Sequence, residues 1–211
     1  MTLTSKPVSI PPYLPTQHDY KPTHPSLFKV NFAGEHGDFS SSLSTVRAFT
    51  KGETICAIEN TLPGTKAYSS VQVLPDPPIP GQDLDALRHI ELNSDLLFVN
   101  HSCDPNVAFD LNKSGDWKVV ALKDLTQGEI MNFAYFSTEW DMDQPFHCLC
   151  GASQCLGIIT GAKAIAPEIL SRFFINDHIL AMKKQQTSPT SSLKASNSTT
   201  AESVPTYEVE A

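Results

Sequence analysis

The sequence lacks the segments that would direct a protein into or across a membrane. No run of about 18 apolar residues exists in the chain, so no helical membrane span is predicted. Residues 1–15 contain no apolar stretch of about 7–15 residues, so no secretory signal is predicted either. We therefore expect an intracellular protein, nuclear or cytoplasmic, whose thiols are kept reduced.

Basic residues are also scarce. The chain of 211 residues has 15 Lys and Arg against 23 Asp and Glu, a formal net charge of -8 at pH 7. A general nucleic-acid-binding protein would normally present a basic patch, so we expect no direct contact with nucleic acid. The acidic balance fits a basic partner such as a Lys- and Arg-rich peptide, although acidity can also serve solubility alone.

Long regular elements are rare, and the two ends have biased compositions. Residues 1–25 contain six prolines and are interpreted as a Pro-rich arm, and residues 185–211, rich in Ser and Thr, as a disordered tail. Many short strands with few helices predict a mainly β domain. The predicted strands cover residues 44–49, 54–58, 117–122 and 130–136, and a short helix is predicted over 83–88.

One longer helix is predicted near the C-terminal end, within residues 163–184. Pro167 suits a first helical position. The apolar face of this helix favours packing on its own domain over binding a partner. Its apolar residues recur with a period of about 3.6: they are Ile169, Leu170, Phe173, Phe174 and Leu180.

The five cysteines are unevenly spread, because Cys148, Cys150 and Cys155 lie within eight residues. In a reducing compartment such a cluster is more typical of metal ligands than of disulfides. Structural zinc is almost always held by four ligands in a tetrahedron, so one ligand must come from elsewhere. The alternative is three unpaired cysteines in a loop. The candidates for the fourth ligand are Cys103, Cys56, His147 and a more distant histidine.

Four segments together resemble the SET domain family of protein-lysine methyltransferases. Residues 100–106, NHSCDPN, match the family's NHSCxPN motif, and residues 128–135, GEIMNFAY, resemble its GEExxxxY segment. Residues 148–157 match the post-SET pattern CxCGxxxCxG, and residues 45–55, TVRAFTKGETI, are similar to the early segment ATRDIxKGExI. All four occur in the family's order, over residues 35–160.

The resemblance implies a particular mainly β architecture. This is the SET-domain β-clip fold, expected over residues 26–140, with knot-like C-terminal threading. In that arrangement the segment ending at Tyr135 lies beside Asn100 and His101. A post-SET zinc module is expected to follow over residues 145–160.

The resemblance also implies the ligands of one structural zinc ion. The cysteine of the NHSC motif, Cys103, is expected to join Cys148, Cys150 and Cys155. Zinc then has an indirect role, because it clamps the C-terminal lid against the cofactor and the lysine channel. Cys56 is left over and is interpreted as a buried strand residue.

The implied activity is methyl transfer from S-adenosylmethionine (SAM) to a lysine side chain of a protein or peptide, with a histone tail among the candidate substrates. A lysine of pKa about 10.4 must lose its proton before it attacks. Tyr135 falls at the family's catalytic tyrosine, whose hydroxyl orients the amine, and Phe133 at the position that sets how many methyl groups are accepted. The alternatives are a rim tyrosine and a core aromatic residue.

The resemblance further implies which residues hold the cofactor. Asn100 and His101 are expected to contact SAM largely through backbone groups, and Phe146 and Leu149 to close over it. His101 could instead satisfy only local hydrogen bonds. The full expected cofactor set is Ser42, Asn100, His101, Tyr135, Phe146 and Leu149.

The chain departs from the family pattern at positions that bear on activity. Ser40 and Ser42 stand where the family has the glycines of a GxG turn around the methionine end of SAM, and Ala134 replaces an aspartate before the tyrosine. Serine disfavours positive φ, whereas glycine adopts it freely. The alternative function is therefore a weak or inactive SET-fold module that binds a basic or lysine-bearing peptide.

Overall fold

The computed structural model describes residues 20–32, 41–74 and 88–187. Most of the Pro-rich arm, the tail beyond residue 187, Ser40 and nearly all of the helix predicted over 83–88 lie outside these ranges. Within the described ranges, no helix combines the length and apolarity needed to cross a bilayer.

The β structure consists of two three-stranded antiparallel sheets and three strand pairs, as far as the described residues go. β9 lies between β3 and β8 in one sheet, and β6 lies between β4 and β5 in the other. β1 pairs with β2 and β11 with β12, both antiparallel, whereas β7 and β10 are parallel. The strands are β1 Phe28–Asn31, β2 Ser42–Thr45, β3 Thr54–Ala57, β4 Leu62–Gly64, β5 Ser70–Val73, β6 Arg88–Glu91, β7 Asn100–His101, β8 Val107–Asp110, β9 Lys118–Ala121, β10 Asn132–Phe133, β11 Phe146–His147 and β12 Ile158–Ile159.

The predicted mainly β class is confirmed, and the core lies on the β3–β9–β8 sheet. β9 alternates between buried and half-buried residues, the period of a strand with one face on a core. The first three residues of β8 are all buried, and Phe109 among them stacks on Phe133. Large side chains buried in this core include Phe28, Leu43, Phe49, Ile55, Val107, Phe109, Val119, Leu125 and Met131.

The strand predicted over residues 130–136 is wrong in its extent. β10 ends at Phe133, and the chain turns into a short 3₁₀ helix, Tyr135–Ser137. The turn occurs because the backbone N–H of Tyr135 donates to the imidazole of His101 (3.1 Å) instead of to a strand neighbour. The strand predicted over 44–49 is also wrong in its extent. The structure has a strand at Ser42–Thr45, and Phe49 forms only an isolated β-bridge with Leu125.

The single helix predicted within residues 163–184 is also wrong. The structure has a 3₁₀ turn, Ala162–Ala164, and two helices, α1 Pro167–Leu170 and α2 Asp177–Thr187. The break coincides with the buried side chain of Asn176, whose amide bonds to the ends of other segments. α2 therefore buries Ile179 and Met182, and Leu180 remains 48% exposed.

Candidate active site and metal centre

The parallel pair β7–β10 joins two of the motifs found in the sequence. Asn132 lies opposite Asn100, and Phe133 lies opposite His101. The ladder continues past β7, since the N–H of Ser102 donates to the carbonyl of Phe133 at 3.1 Å. The pairing places the NHSC segment directly beside the segment that ends at Tyr135, as the family resemblance implied.

Tyr135 begins the 3₁₀ turn and directs its hydroxyl toward the chain entering β7. The hydroxyl donates to the carbonyl of Val99 at 3.4 Å. Burial raises the pKa of Tyr135 far above its ordinary value, so the hydroxyl remains protonated at neutral pH. Phe133 lies beside it, with 4.9 Å between ring centroids, and stacks on Phe109 at 4.2 Å. The hydroxyl is thus a fixed hydrogen-bond donor beside an aromatic wall.

His101 connects Tyr135 to the cysteine cluster. Its Nδ1 accepts from the N–H of Tyr135, so the proton of the neutral ring sits on Nε2. Nε2 lies 3.4 Å from Sγ of Cys103, to which it donates. Burial lowers the pKa of His101 to about 4, which keeps the ring neutral. Both ring nitrogens are therefore engaged in structural hydrogen bonds.

An aromatic cluster surrounds His101. Its ring centroid lies 5.3 Å from that of Tyr135, 5.8 Å from that of Phe136 and 5.7 Å from that of Phe146. The edge-to-face arrangement of these rings is a favourable one. The structure therefore brings Phe146 to the predicted site. It does not do so for Leu149, which is 94% exposed.

The start of β2 approaches Asn100. The side-chain amide of Asn100 donates to the carbonyl of Ser41 at 2.8 Å. Ser42, the next residue, opens β2 opposite Asn31. The segment that stands in place of the family's glycines therefore lies beside the NHSC motif.

A cleft opens next to Tyr135. Its walls come from the turn before β5, the 3₁₀ helix Asp95–Phe98, and the segment after Tyr135. Sequence reasoning did not single out Val99, Ser70 or Glu139 for the site, because these residues belong to no recognisable motif. The lining residues are Ala67, Tyr68, Ser69, Ser70, Val71, Leu92, Leu96, Leu97, Val99, Phe133, Tyr135, Thr138, Glu139, Met142, Asp143 and Gln144.

Four cysteines converge on the far side of His101. The sulfur atoms of Cys103, Cys148, Cys150 and Cys155 all lie within 4.8 Å of one another. Four thiolates around one metal at about 2.3 Å would be about 3.8 Å apart, and Cys103 and Cys148 are 3.9 Å apart. The donor set therefore fits a tetrahedral metal ion. Of the candidates for the fourth ligand, the structure brings Cys103 to the cluster.

The other candidate thiol lies elsewhere, and the backbone supports the cluster. Cys56 is in β3 and packs on the main core. The N–H of Leu156 donates to Sγ of Cys103 at 3.4 Å, and the N–H of Cys148 donates to the carbonyl of Gly157 at 2.7 Å. Gly151 has a φ of 71°, which lets the chain reverse between the second and third cysteines of the cluster.

The lid strands connect the cluster to the aromatic site. Phe146 in β11 pairs with Ile159 in β12, and Cys148 follows two residues after Phe146. A metal ion held by the four sulfurs would fix the start of this hairpin relative to Cys103, and so fix Phe146 beside His101.

Comparison with known proteins identifies the class. No protein-family model matches the chain. The chain is 35% identical over 183 residues to Methyltransferase flvH of Aspergillus flavus, a match that covers 83% of this chain and 95% of that protein. It is 39% identical over 66 residues to an H3 lysine-4-specific histone-lysine N-methyltransferase of Emericella nidulans, covering 29% of this chain and 5% of that protein.

Two further similarities are shorter or more distant. The H3 lysine-9-specific histone-lysine N-methyltransferase dim-5 of Neurospora crassa is 28% identical over 101 residues, which are 40% of this chain and 30% of that protein. The solved methyltransferase domain of human SETMAR has a TM-score of 0.44 and 16% identity, over 64% of this chain and 58% of that one. The chain belongs to the SET-domain family of protein-lysine methyltransferases.

Proposed function

We propose that this protein transfers methyl groups from SAM to the side-chain amine of a lysine in a protein substrate. The observation that carries the proposal is the hydroxyl of Tyr135, which stays protonated and is fixed by the carbonyl of Val99 at the wall of a cleft. Because the hydroxyl donates its hydrogen bond to the carbonyl of Val99, its oxygen is left to accept an N–H of the amine, which aligns the nitrogen lone pair with the methyl group and the leaving sulfur.

The residues around Tyr135 have distinct roles in this proposal. SAM, when bound, supplies a methyl group activated by its sulfonium. Asn100, His101, Ser42 and Phe146 hold the cofactor, and Leu149 closes over it. Tyr135 orients the lysine nitrogen by hydrogen bonding. The apolar wall that includes Phe133 disfavours the charged ammonium and so lowers the pKa of the lysine.

Zinc is the metal that suits the four sulfurs. Cys103, Cys148, Cys150 and Cys155 would hold one structural Zn²⁺ ion, for which four thiolates are a common tetrahedral set. The ion leaves no open position for substrate, so its role is to hold the lid. His101 supports Cys103 from outside the coordination sphere through its Nε2–H bond to the sulfur.

A histone tail is the substrate class that the relatives favour. Two of them are named for lysine 4 and lysine 9 of histone H3. The net charge of -8 would attract a basic peptide. A histone substrate would place the protein in the nucleus.

The test is transfer of a labelled methyl group from SAM to lysine-containing proteins, core histones among them, followed by hydrolysis and identification of methyl-lysine. We expect the wild-type protein to form methyl-lysine. Tyr135→Phe should lower the rate about 10²-fold or more, because the variant loses the hydrogen bond that orients the amine. SAM affinity should change little.

Full activity of Tyr135→Phe would remove Tyr135 from the mechanism. Tyr68→Phe is the matched control, because Tyr68 lines the same cleft and is exposed. A wild-type protein that binds lysine peptides but transfers no methyl group would favour the non-catalytic module instead.

A further inference from the structure

The reaction needs a proton acceptor, and neither Tyr135 nor His101 can act as one. A lysine arrives mostly as an ammonium and must lose a proton before it attacks. Tyr135 cannot accept this proton, because its hydroxyl is already protonated and its pKa is raised by burial. His101 cannot accept it either, because one ring nitrogen accepts from Tyr135 and the other donates to Cys103.

Glu139 lies one turn beyond Tyr135 and lines the same cleft. The N–H of Glu139 donates to the carbonyl of Tyr135 at 3.0 Å, a bond between residues four apart. The side chains of Tyr135 and Glu139 both line this cleft. The carboxylate of Glu139 is therefore the nearest acidic group along the chain to the hydroxyl that orients the amine.

The carboxylate of Glu139 is buried and held at one oxygen. Its Oε1 accepts from the N–H of Gln72 at 2.7 Å and from the hydroxyl of Thr138 at 3.4 Å. Its Oε2 lies 4.0 Å from Nδ1 of His89, which in turn is 3.0 Å from the hydroxyl of Ser70. Oε2 is thus the oxygen left to take up a proton.

The surroundings of Glu139 raise the pKa of its carboxyl toward neutral pH, where a base is most useful. Burial raises the pKa of Glu139 from 4.5 to about 7, and the hydrogen bonds from Gln72 and Thr138 offset part of that effect. A base works best when its pKa lies near the operating pH. The charged or titratable groups that act on the Glu139–His89 pair are Lys66 before β5, Asp143 of the cleft lining and His178 of α2.

We propose that Glu139 is the proton acceptor of this methyl transfer, an inference that rests on the proposed function. The lysine ammonium gives one proton, through water in the cleft, to Oε2 of Glu139, which leaves a neutral amine and a carboxylic acid. The amine lone pair then forms the N–CH₃ bond as the bond from methyl carbon to sulfur breaks, and its electrons stay on the sulfur.

The pH profile of kcat tests this role. We expect kcat of the wild-type protein to rise with pH and level off above about 7, where Glu139 is ionised. Glu139→Gln should lower kcat by about 10²-fold or more and remove this plateau, so that the rate follows only the ionisation of the substrate. Glu139→Asp should recover part of the rate. Asp141→Asn is the control, because Asp141 is exposed, pairs with Lys163 and lies outside the cleft lining.

Stability provides a readout that needs no activity. A carboxyl whose pKa is raised on folding stabilises the folded state below its ordinary pKa and loses that contribution as pH rises through the folded value. Relative to Glu139→Gln, the wild-type protein should therefore lose stability between pH 4.5 and about 7 and not beyond. Denaturation of both proteins across this range measures the difference.

The outcomes separate the two claims. A wild-type enzyme that is active, beside a Glu139→Gln variant with the same kcat and the same profile, would overturn the role of Glu139 alone. A stability difference between the wild-type protein and Glu139→Gln that stays constant from pH 4.5 to about 7 would also overturn it, because the carboxyl would then have no raised pKa. Absence of transfer by the wild-type protein would overturn the proposed function and this role with it.

Discussion

Asn176 joins three segments with one side chain. Its amide donates to the carbonyls of Phe109 and Ser137, both at 2.9 Å, and accepts from the N–H of Leu111 at 2.8 Å. Asn176 is fully buried, so water cannot replace these bonds. The residue holds the start of α2 against the end of β8 and the turn that follows Tyr135.

We expect Asn176→Ala to destabilise the protein by about 3 kcal/mol or more, because it leaves a buried N–H and two buried carbonyls without this partner. Asn112→Ala is the control. It removes one bond, from the N–H of Asp177 at 2.7 Å, at an exposed position, and should cost about 1 kcal/mol. Urea denaturation of the zinc-loaded proteins measures both changes, and equal losses would contradict the account of Asn176.

At the scale of residues, the sequence predicted the site residues that belong to a family motif, and it did not predict those that lie outside one. His101, Phe133, Tyr135 and Phe146 lie together as the resemblance implied. Glu139 and Asn176 could not be predicted, because their roles depend on which distant backbone groups meet them. Leu149 stays exposed, and its contact with the cofactor remains a prediction.

At the scale of elements, we expect the hairpin β11–β12 to depend on the four cysteines. Its strands are two residues long, and of their four residues only Ile159 is fully buried, so the hairpin contributes little to the core. Small elements of this kind usually require a metal or another cross-link. We therefore expect a metal ion in the four-cysteine cluster to hold Phe146 beside His101.

We expect about one zinc ion per chain in the purified protein, measured by elemental analysis. Cys103→Ser should lose the ion, because the variant removes the ligand that ties the hairpin to β7. Cys56→Ser should keep it, because Cys56 lies in β3 and outside the cluster. A folded wild-type protein without metal, or zinc retained by Cys103→Ser, would contradict the four-thiolate site.

The elements themselves were only partly predictable. The strands near residues 54–58 and 117–122 form as expected, because alternation and flanking turns specify them locally. The strand predicted over 130–136 was too long, because the N–H of Tyr135 bonds to the side chain of His101. The helix predicted over 163–184 is divided near Asn176, whose buried side chain bonds to the backbone of Ser137. Local periodicity carries no information about such contacts.

At the scale of the whole molecule, the site is assembled from segments far apart in the chain. The cleft takes residues from 67–71, 92–99 and 133–144, and the cofactor residues add the start of β2 and the lid. The motifs predicted this assembly because they resemble those of a known family and occur in the same order. Without that resemblance, the strand pattern and the composition predicted only a mainly β, acidic domain. The knot-like threading and the domain boundaries remain predictions.

SAM binding is the property on which the whole account depends. Ser42 occupies a position where the family has glycine, and the adjoining carbonyl of Ser41 accepts a hydrogen bond from the side-chain amide of Asn100, which keeps this segment beside the NHSC motif. Titration calorimetry of the zinc-loaded wild-type protein with SAM is the most direct test. We predict a dissociation constant in the micromolar range, a binding free energy of about -8 kcal/mol. The absence of binding at millimolar SAM would contradict the assignment of this protein as a methyltransferase.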